Sequence, residues 1–280
     1  MSGDAWRGHL ALGKSVYVGG RAVFCVDLGE GESVLLIHGW ASSSFSWLRN
    51  YRELSRSFRV VAVDLPGFGL SEPLPGGLRL EPLVEHLRGF LEALGVGRVS
   101  LVGHSMGGAV AASFASRYAD IVERVALINP ALSAAGRGPR EGFTKLARKR
   151  MVARILAPFL LRRGFVRKAL LSSVWRKEAI DDEIVTGFYF SIKNSGTTLI
   201  EASRILESFH PKFLEELRAP ALFILGERDE WVPVKMNIEL AEKIGAEVFV
   251  VPDAGHIPQL ENPKLVNEKL RDFLSRRIVR

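Results

Sequence analysis

Cysteine occurs once in 280 residues, at Cys25. A single thiol cannot close an intrachain disulfide or build a cysteine-rich metal site, so no metal is expected. Long apolar runs are missing too, and no segment approaches the ~20 residues that a membrane-spanning helix requires. Met1–Arg7 lacks the basic-then-apolar pattern of a secretory signal, which makes the cytoplasm the default expectation. Glutamine appears once, at Gln259, and methionine four times, beside abundant Arg, Lys and Glu. That scarcity of thermolabile side chains points towards a thermophilic source.

Charge is plentiful but unevenly placed. The net charge is +7, yet thirteen Lys and Arg stand against one acid, Glu141, between Arg137 and Lys177. That segment carries +12, and the remaining 25 basic and 30 acidic residues give the rest −5. Basic character confined to one stretch argues against a nucleic-acid-binding chain. Inside it, Val152, Ile155, Leu156, Phe159 and Leu160 recur at the spacing of one helical face. The expectation is a helical cap whose apolar side covers a site and whose charges support weak association with anionic membranes.

Short apolar runs alternate with helical patterns over most of the chain. Ser15–Val18 and Arg21–Asp27 flank Gly19-Gly20, a two-residue hairpin signal. Ser33–Ile37 and Phe58–Val63 are continuous apolar runs suited to strands buried on both faces, and the spacing predicts a helix over Ser44–Leu54 between them. A helix over Leu80–Leu94, closed by Gly95, precedes strands at Val99–Val102 and Arg124–Ile128. Strands at Ala221–Leu225 and Glu247–Val251 follow, with helices at Val234–Ile244 and Lys264–Ile278. This order predicts an α/β fold with a mostly parallel central sheet and helices on both faces. The alternation breaks over 131–211, read as the helical cap, which leaves 1–130 and 212–280 as the core.

Gly103-His104-Ser105-Met106-Gly107 joins the strand Val99–Val102 to the small, helix-prone run Gly108–Tyr118. A serine there stands on a sharp turn, with glycines two positions either side to avoid collision. Its hydroxyl is then a candidate nucleophile beside the free amides of a helix N-terminus. Such a serine needs a base and a carboxylate that orients the base. Asp229 and His256 follow the last two strands, where sites gather in open parallel sheets. Glu227 and Glu230 share the acid's loop as rivals, and five other histidines compete with His256. Among those, His104 should point away from Ser105 and His38 should brace a loop, while His9, His86 and His210 have no link to strand ends. His38-Gly39-Trp40 can turn the Trp40 N–H towards the nucleophile, forming an oxyanion hole with the N–H of Met106.

Four stretches together resemble the α/β-hydrolase fold of small serine esterases, lipases and carbon–carbon hydrolases. They are His38-Gly39-Trp40, the turn Asp64–Ser71, Gly103–Gly108, and Gly226–Asp229 with Gly255-His256. The resemblance covers about 1–130 and 212–280 and fades in the cap, which sets substrate choice in such families. It implies a cofactor-free serine hydrolase that cleaves small-molecule carboxylic esters through an acyl-enzyme, with Ser105, Asp229 and His256 catalytic. Carbon–carbon bond hydrolysis, thioester hydrolysis and lipid-ester hydrolysis at anionic surfaces use the same triad and stay open. A serine nucleophile disfavours the dehalogenase and epoxide hydrolase branches, which use Asp.

Overall fold

A computed structural model describes residues 3–132, 162–196 and 198–276. Its sheet comprises β1 (Gly13–Val18), β2 (Arg21–Leu28), β3 (Ser33–Ile37), β4 (Arg59–Val63), β5 (Val99–His104), β6 (Val122–Ile128), β7 (Ala221–Gly226) and β8 (Glu247–Val251). The spatial order is β1-β2-β4-β3-β5-β6-β7-β8. β1 pairs antiparallel with β2, and β2 antiparallel with β4. Every neighbouring pair from β4 to β8 is parallel. Gly19 and Gly20 have φ of 56° and 76°, the left-handed conformations that a tight two-residue hairpin demands.

Both faces of the central strands are buried, and their side chains alternate between two hydrophobic clusters. Val34 and Leu36 join Trp47, Tyr51 and Leu270 on one face; Leu35 and Ile37 join Phe90, Val110 and Phe114 on the other. This period of two explains why the sequence shows continuous apolar runs rather than alternation.

The described helices are α1 (Asp4–Leu12), α2 (Tyr51–Leu54), α3 (Leu80–Ala93), α4 (Met106–Arg117), α5 (Arg163–Ser173), α6 (Asp182–Lys193) and α7 (Thr198–Glu201). They continue with α8 (Ser203–Ser208), α9 (Lys212–Glu215), α10 (Val234–Lys243), α11 (Pro258–Glu261) and α12 (Pro263–Leu274). α3 buries Leu80, Leu83, Val84, Leu87, Phe90 and Leu91, a single helical stripe.

Two elements differ from expectation. The helix predicted over Ser44–Leu54 is split into a 3₁₀ turn at Ser44–Trp47 and the short α2. Asn50 interrupts it with φ −122°, and its amide donates to Gln259 O and Asn267 Oδ1, so tertiary partners outweigh helix continuity. No helix is expected at α1, whose buried side chains are only Trp6 and His9, too few to show a helical period.

Between β6 and β7 the described residues form helices and no strand. The apolar stripe Val152–Leu160 lies outside the described residues. The part that is described packs firmly on the core. Glu183 accepts the N–H groups of Gly3 and Ala5 at 2.7 and 2.9 Å, and Trp6 stacks on Phe190 at 5.7 Å. Val185, Phe188 and Ile192 belong to the same cluster as Leu35 and Ile37.

Candidate active site

Ser105 links β5 to α4 with φ 53° and ψ −119°, a conformation that L side chains rarely adopt. Such a residue costs about 1–3 kcal/mol and persists only where its surroundings over-determine it. Here they do. A Cβ on Gly103 would lie 2.3 Å from Gly107 O, and one on Gly107 would lie 2.4 Å from Ile37 O. Both glycines are therefore required by backbone crossing backbone. Ser105 N–H donates to Ile128 O at 3.0 Å, and Ser105 O accepts from Gly108 and Ala131, which completes the turn.

His256 Nε2 lies 3.0 Å from Ser105 Oγ, and its Nδ1 lies 2.8 Å from Asp229 Oδ2. The Asp229 side chain is 1% exposed, and its Oδ1 accepts the N–H groups of Trp231 and Val232 at 2.7 and 3.0 Å. Those bonds point the other oxygen at the imidazole. Glu227 is exposed, accepts Asp253 N–H and pairs with Arg228 at 3.5 Å, and Glu230 is exposed. Among the three acids of this loop, Asp229 alone meets His256. Trp231 stacks on the His256 ring at 5.4 Å with 16° between planes, which limits tilting of the imidazole.

The other histidines sort by what they touch. His38 Nε2 accepts Leu65 N–H at 2.9 Å, so its Nδ1 carries the proton and donates to Gly39 O at 2.7 Å. It braces the loop after β3, and burial pulls its pKa down to about 4. His104 turns its Nε2 to His256 O at 2.8 Å, supporting the backbone of His256. Burial, with the adjacent His256, lowers His104 to about 3. His9 is connected to a strand end after all. Its Nε2 lies 3.3 Å from Ser44 Oγ, which donates to Asp64 Oδ1 at 2.5 Å just past β4. Asp64 also accepts Ser44 N–H and Leu70 N–H, and a Cβ on Gly69 would overlap its Oδ2 at 1.9 Å. The glycine-rich turn Asp64–Ser71 thus wraps around one buried carboxylate.

The N–H of Met106 opens α4 and is one of the amides that a helix leaves without an internal acceptor. Gly39 packs against Ser105, its Cβ position 3.1 Å from Ser105 Cβ, so the loop leading into Trp40 passes beside the hydroxyl. Trp40 is 40% exposed, and its indole N–H donates to Leu199 O at 2.6 Å. Among the described residues no three His, Cys, Asp or Glu side chains gather as a metal site would require. Among them, too, no helix is long and apolar enough to cross a membrane.

Residues 32–263 match the family model of the alpha/beta hydrolase fold. The chain belongs to the α/β-hydrolase family. It is 31% identical over 248 residues to the dihydrolipoyllysine-residue acetyltransferase component of the acetoin cleaving system of Cupriavidus necator. That match covers 88% of this chain and only 64% of the relative's length. A meta-cleavage product hydrolase from Pseudomonas fluorescens superposes with TM-score 0.80 at 25% identity, covering 95% of this chain and 98% of that one. A thermophilic esterase from Thermogutta terrifontis superposes with TM-score 0.77 at 26% identity, covering 94% and 97%.

Proposed function

We propose that this hydrolase cleaves small carboxylic esters through an acyl-enzyme, with Ser105 as nucleophile, His256 as base and Asp229 as the residue that orients it. The observation that carries the reading is the continuous relay of 3.0 and 2.8 Å from Ser105 Oγ through His256 to a buried, doubly anchored Asp229. His256 Nε2 takes the hydroxyl proton as Oγ adds to the ester carbonyl. The N–H groups of Met106 and Trp40 receive the oxyanion. Collapse breaks the carbon–oxygen bond, and the imidazolium returns its proton to the leaving alkoxide. Water then adds to the acyl-serine as His256 takes its proton, and collapse frees the acid while the imidazolium returns that proton to Ser105 Oγ.

Ester cleavage needs only this relay and two donors. The second reading is carbon–carbon hydrolysis, supported by the similarity to the meta-cleavage product hydrolase. That reaction also requires a proton delivered to the departing carbon, a step the relay does not supply before attack. We propose further that 131–211 acts as the cap over the site and that its positive charge favours anionic lipid or acidic ester substrates.

Turnover of graded p-nitrophenyl esters beside a 2-hydroxy-6-oxo-dienoate tests the choice. Ester turnover that dominates, and that falls by about 10⁴ to 10⁶ in Ser105→Ala, supports the first reading. Turnover of the dienoate alone replaces it with the second.

A further inference from the structure

We infer that Glu261 is a positioning residue whose carboxylate clamps the loop carrying His256 to a segment within the insertion between β6 and β7. The inference rests on the reading of His256 as the base. Glu261 ends α11 and is 6% exposed. Its Oε2 accepts the N–H groups of Trp175 at 2.7 Å, Arg176 at 2.9 Å and Gly255 at 3.0 Å. Its Oε1 accepts those of Gly255 at 2.9 Å and Ile257 at 3.3 Å. Gly255 and Ile257 are the two neighbours of His256, and Trp175 and Arg176 follow the C-terminus of α5.

A carboxylate removed from water is retained where its charge is satisfied. Here the satisfaction comes from four backbone donors on two separate segments, and no Lys or Arg among the described residues is paired with it. Charge-assisted bonds of this kind are short and directional, so they fix the path of the backbone they hold. Contact between the segments does not stop at the carboxylate. His256 N–H donates to Ser173 O at 2.7 Å, and a Cβ on Gly255 would lie 2.7 Å from Trp175 N. The base is therefore held on both sides by one carboxylate, and the insertion is held by the same group. Seating of the insertion and placement of the imidazole between Ser105 and Asp229 become one event.

Glu261→Gln and Arg176→Pro test this. The amide keeps the shape of the carboxylate but turns one acceptor into a donor aimed at N–H groups, so E261Q should lose as much as E261A. A drop in kcat of about 10- to 100-fold with KM within about threefold is expected, since small misplacements of a catalytic group act on the transition state. The low-field proton resonance of the His256 Nδ1–H to Asp229 bond should be sharp in the parent and lost to exchange in E261Q. R176P deletes one donor at a residue whose φ of −80° already suits proline, and it should lower kcat about 3- to 10-fold. R176A keeps the N–H but, like R176P, loses the Arg176 Nε bond to Asp253 O at 3.1 Å, so R176P should fall below R176A by that factor. Should E261Q not fold, R176P decides alone. Parental kcat and resonance in E261Q and R176P overturn the inference. So does a loss of activity fully explained by a smaller folded fraction in a urea melt. Failure of a phosphonate to label the parent at Ser105 would instead refute the serine-hydrolase reading, leaving the resonance to judge the clamp.

Discussion

Acid should unfold this protein largely through histidines that folding keeps neutral. His9, His38 and His104 are buried, and burial is the leading cause that lowers them to about 4, about 4 and about 3. In the unfolded chain they titrate near 6.5. A folded pKa below the unfolded one stabilises the protein above pH ~6.5, and that contribution is lost as pH falls towards the folded value. At about 1.36 kcal/mol per pH unit the loss is about 3 kcal/mol each for His9 and His38 and about 5 for His104. Asp64 acts with the opposite sign. Burial outweighs its hydrogen bonds from Ser44 and Leu70 and raises it to about 6, so the folded state takes up that proton before the unfolded chain does. Its contribution of about 3 kcal/mol is present at low pH and disappears as pH rises through 6. Net, about 8 kcal/mol is lost by pH ~3, comparable to the whole stability of an ordinary domain. Between about pH 6 and pH 5 unfolding should take up about two protons, a slope of about 2.5 kcal/mol per pH unit. Urea melts across that interval measure it directly. His9→Phe places a phenyl ring among Trp6, Phe24, Phe45 and Tyr51 and should reduce the slope by about 1.4 kcal/mol per pH unit. Flat stability over the interval, or an unchanged slope in H9F, would refute the reasoning.

Asp229→Asn should lower ester kcat by about 10² to 10⁴, whereas Glu227→Gln and Glu230→Gln, changed at exposed side chains, should stay near the parent. Gly107→Ala forces a Cβ onto Ile37 O and should cost at least about 2 kcal/mol in a urea melt while abolishing phosphonate labelling of Ser105. Cys25 is fully buried, and burial raises its thiol to about 12, so iodoacetamide should label it only after unfolding. Calorimetry should give a Tm above about 80 °C if the Gln-poor, ion-rich composition reflects a hot habitat; a midpoint in the mesophile range removes that expectation.

Strands, the hairpin at Gly19-Gly20 and the turn at Ser105 were legible in the sequence because each is dictated by neighbours a few residues away. Apolar runs mark strands buried on two faces, and glycine marks positions where backbone meets backbone, as Gly103 and Gly107 do. The tertiary structure decided matters of another kind. Asp229 is distinguished from Glu230, one residue on, only by two amides that turn its carboxylate inward to His256. His9 gains its connection to Asp64 through Ser44, a residue 35 positions away. Glu261 is an unremarkable acid at the end of a short helix until Trp175 and Arg176, some 85 positions earlier, converge on it. Local periodicity and turn chemistry act through the chain and so leave a trace in residue spacing. A polar contact across the fold is selected by distance and angle between segments far apart in sequence, and no spacing records it.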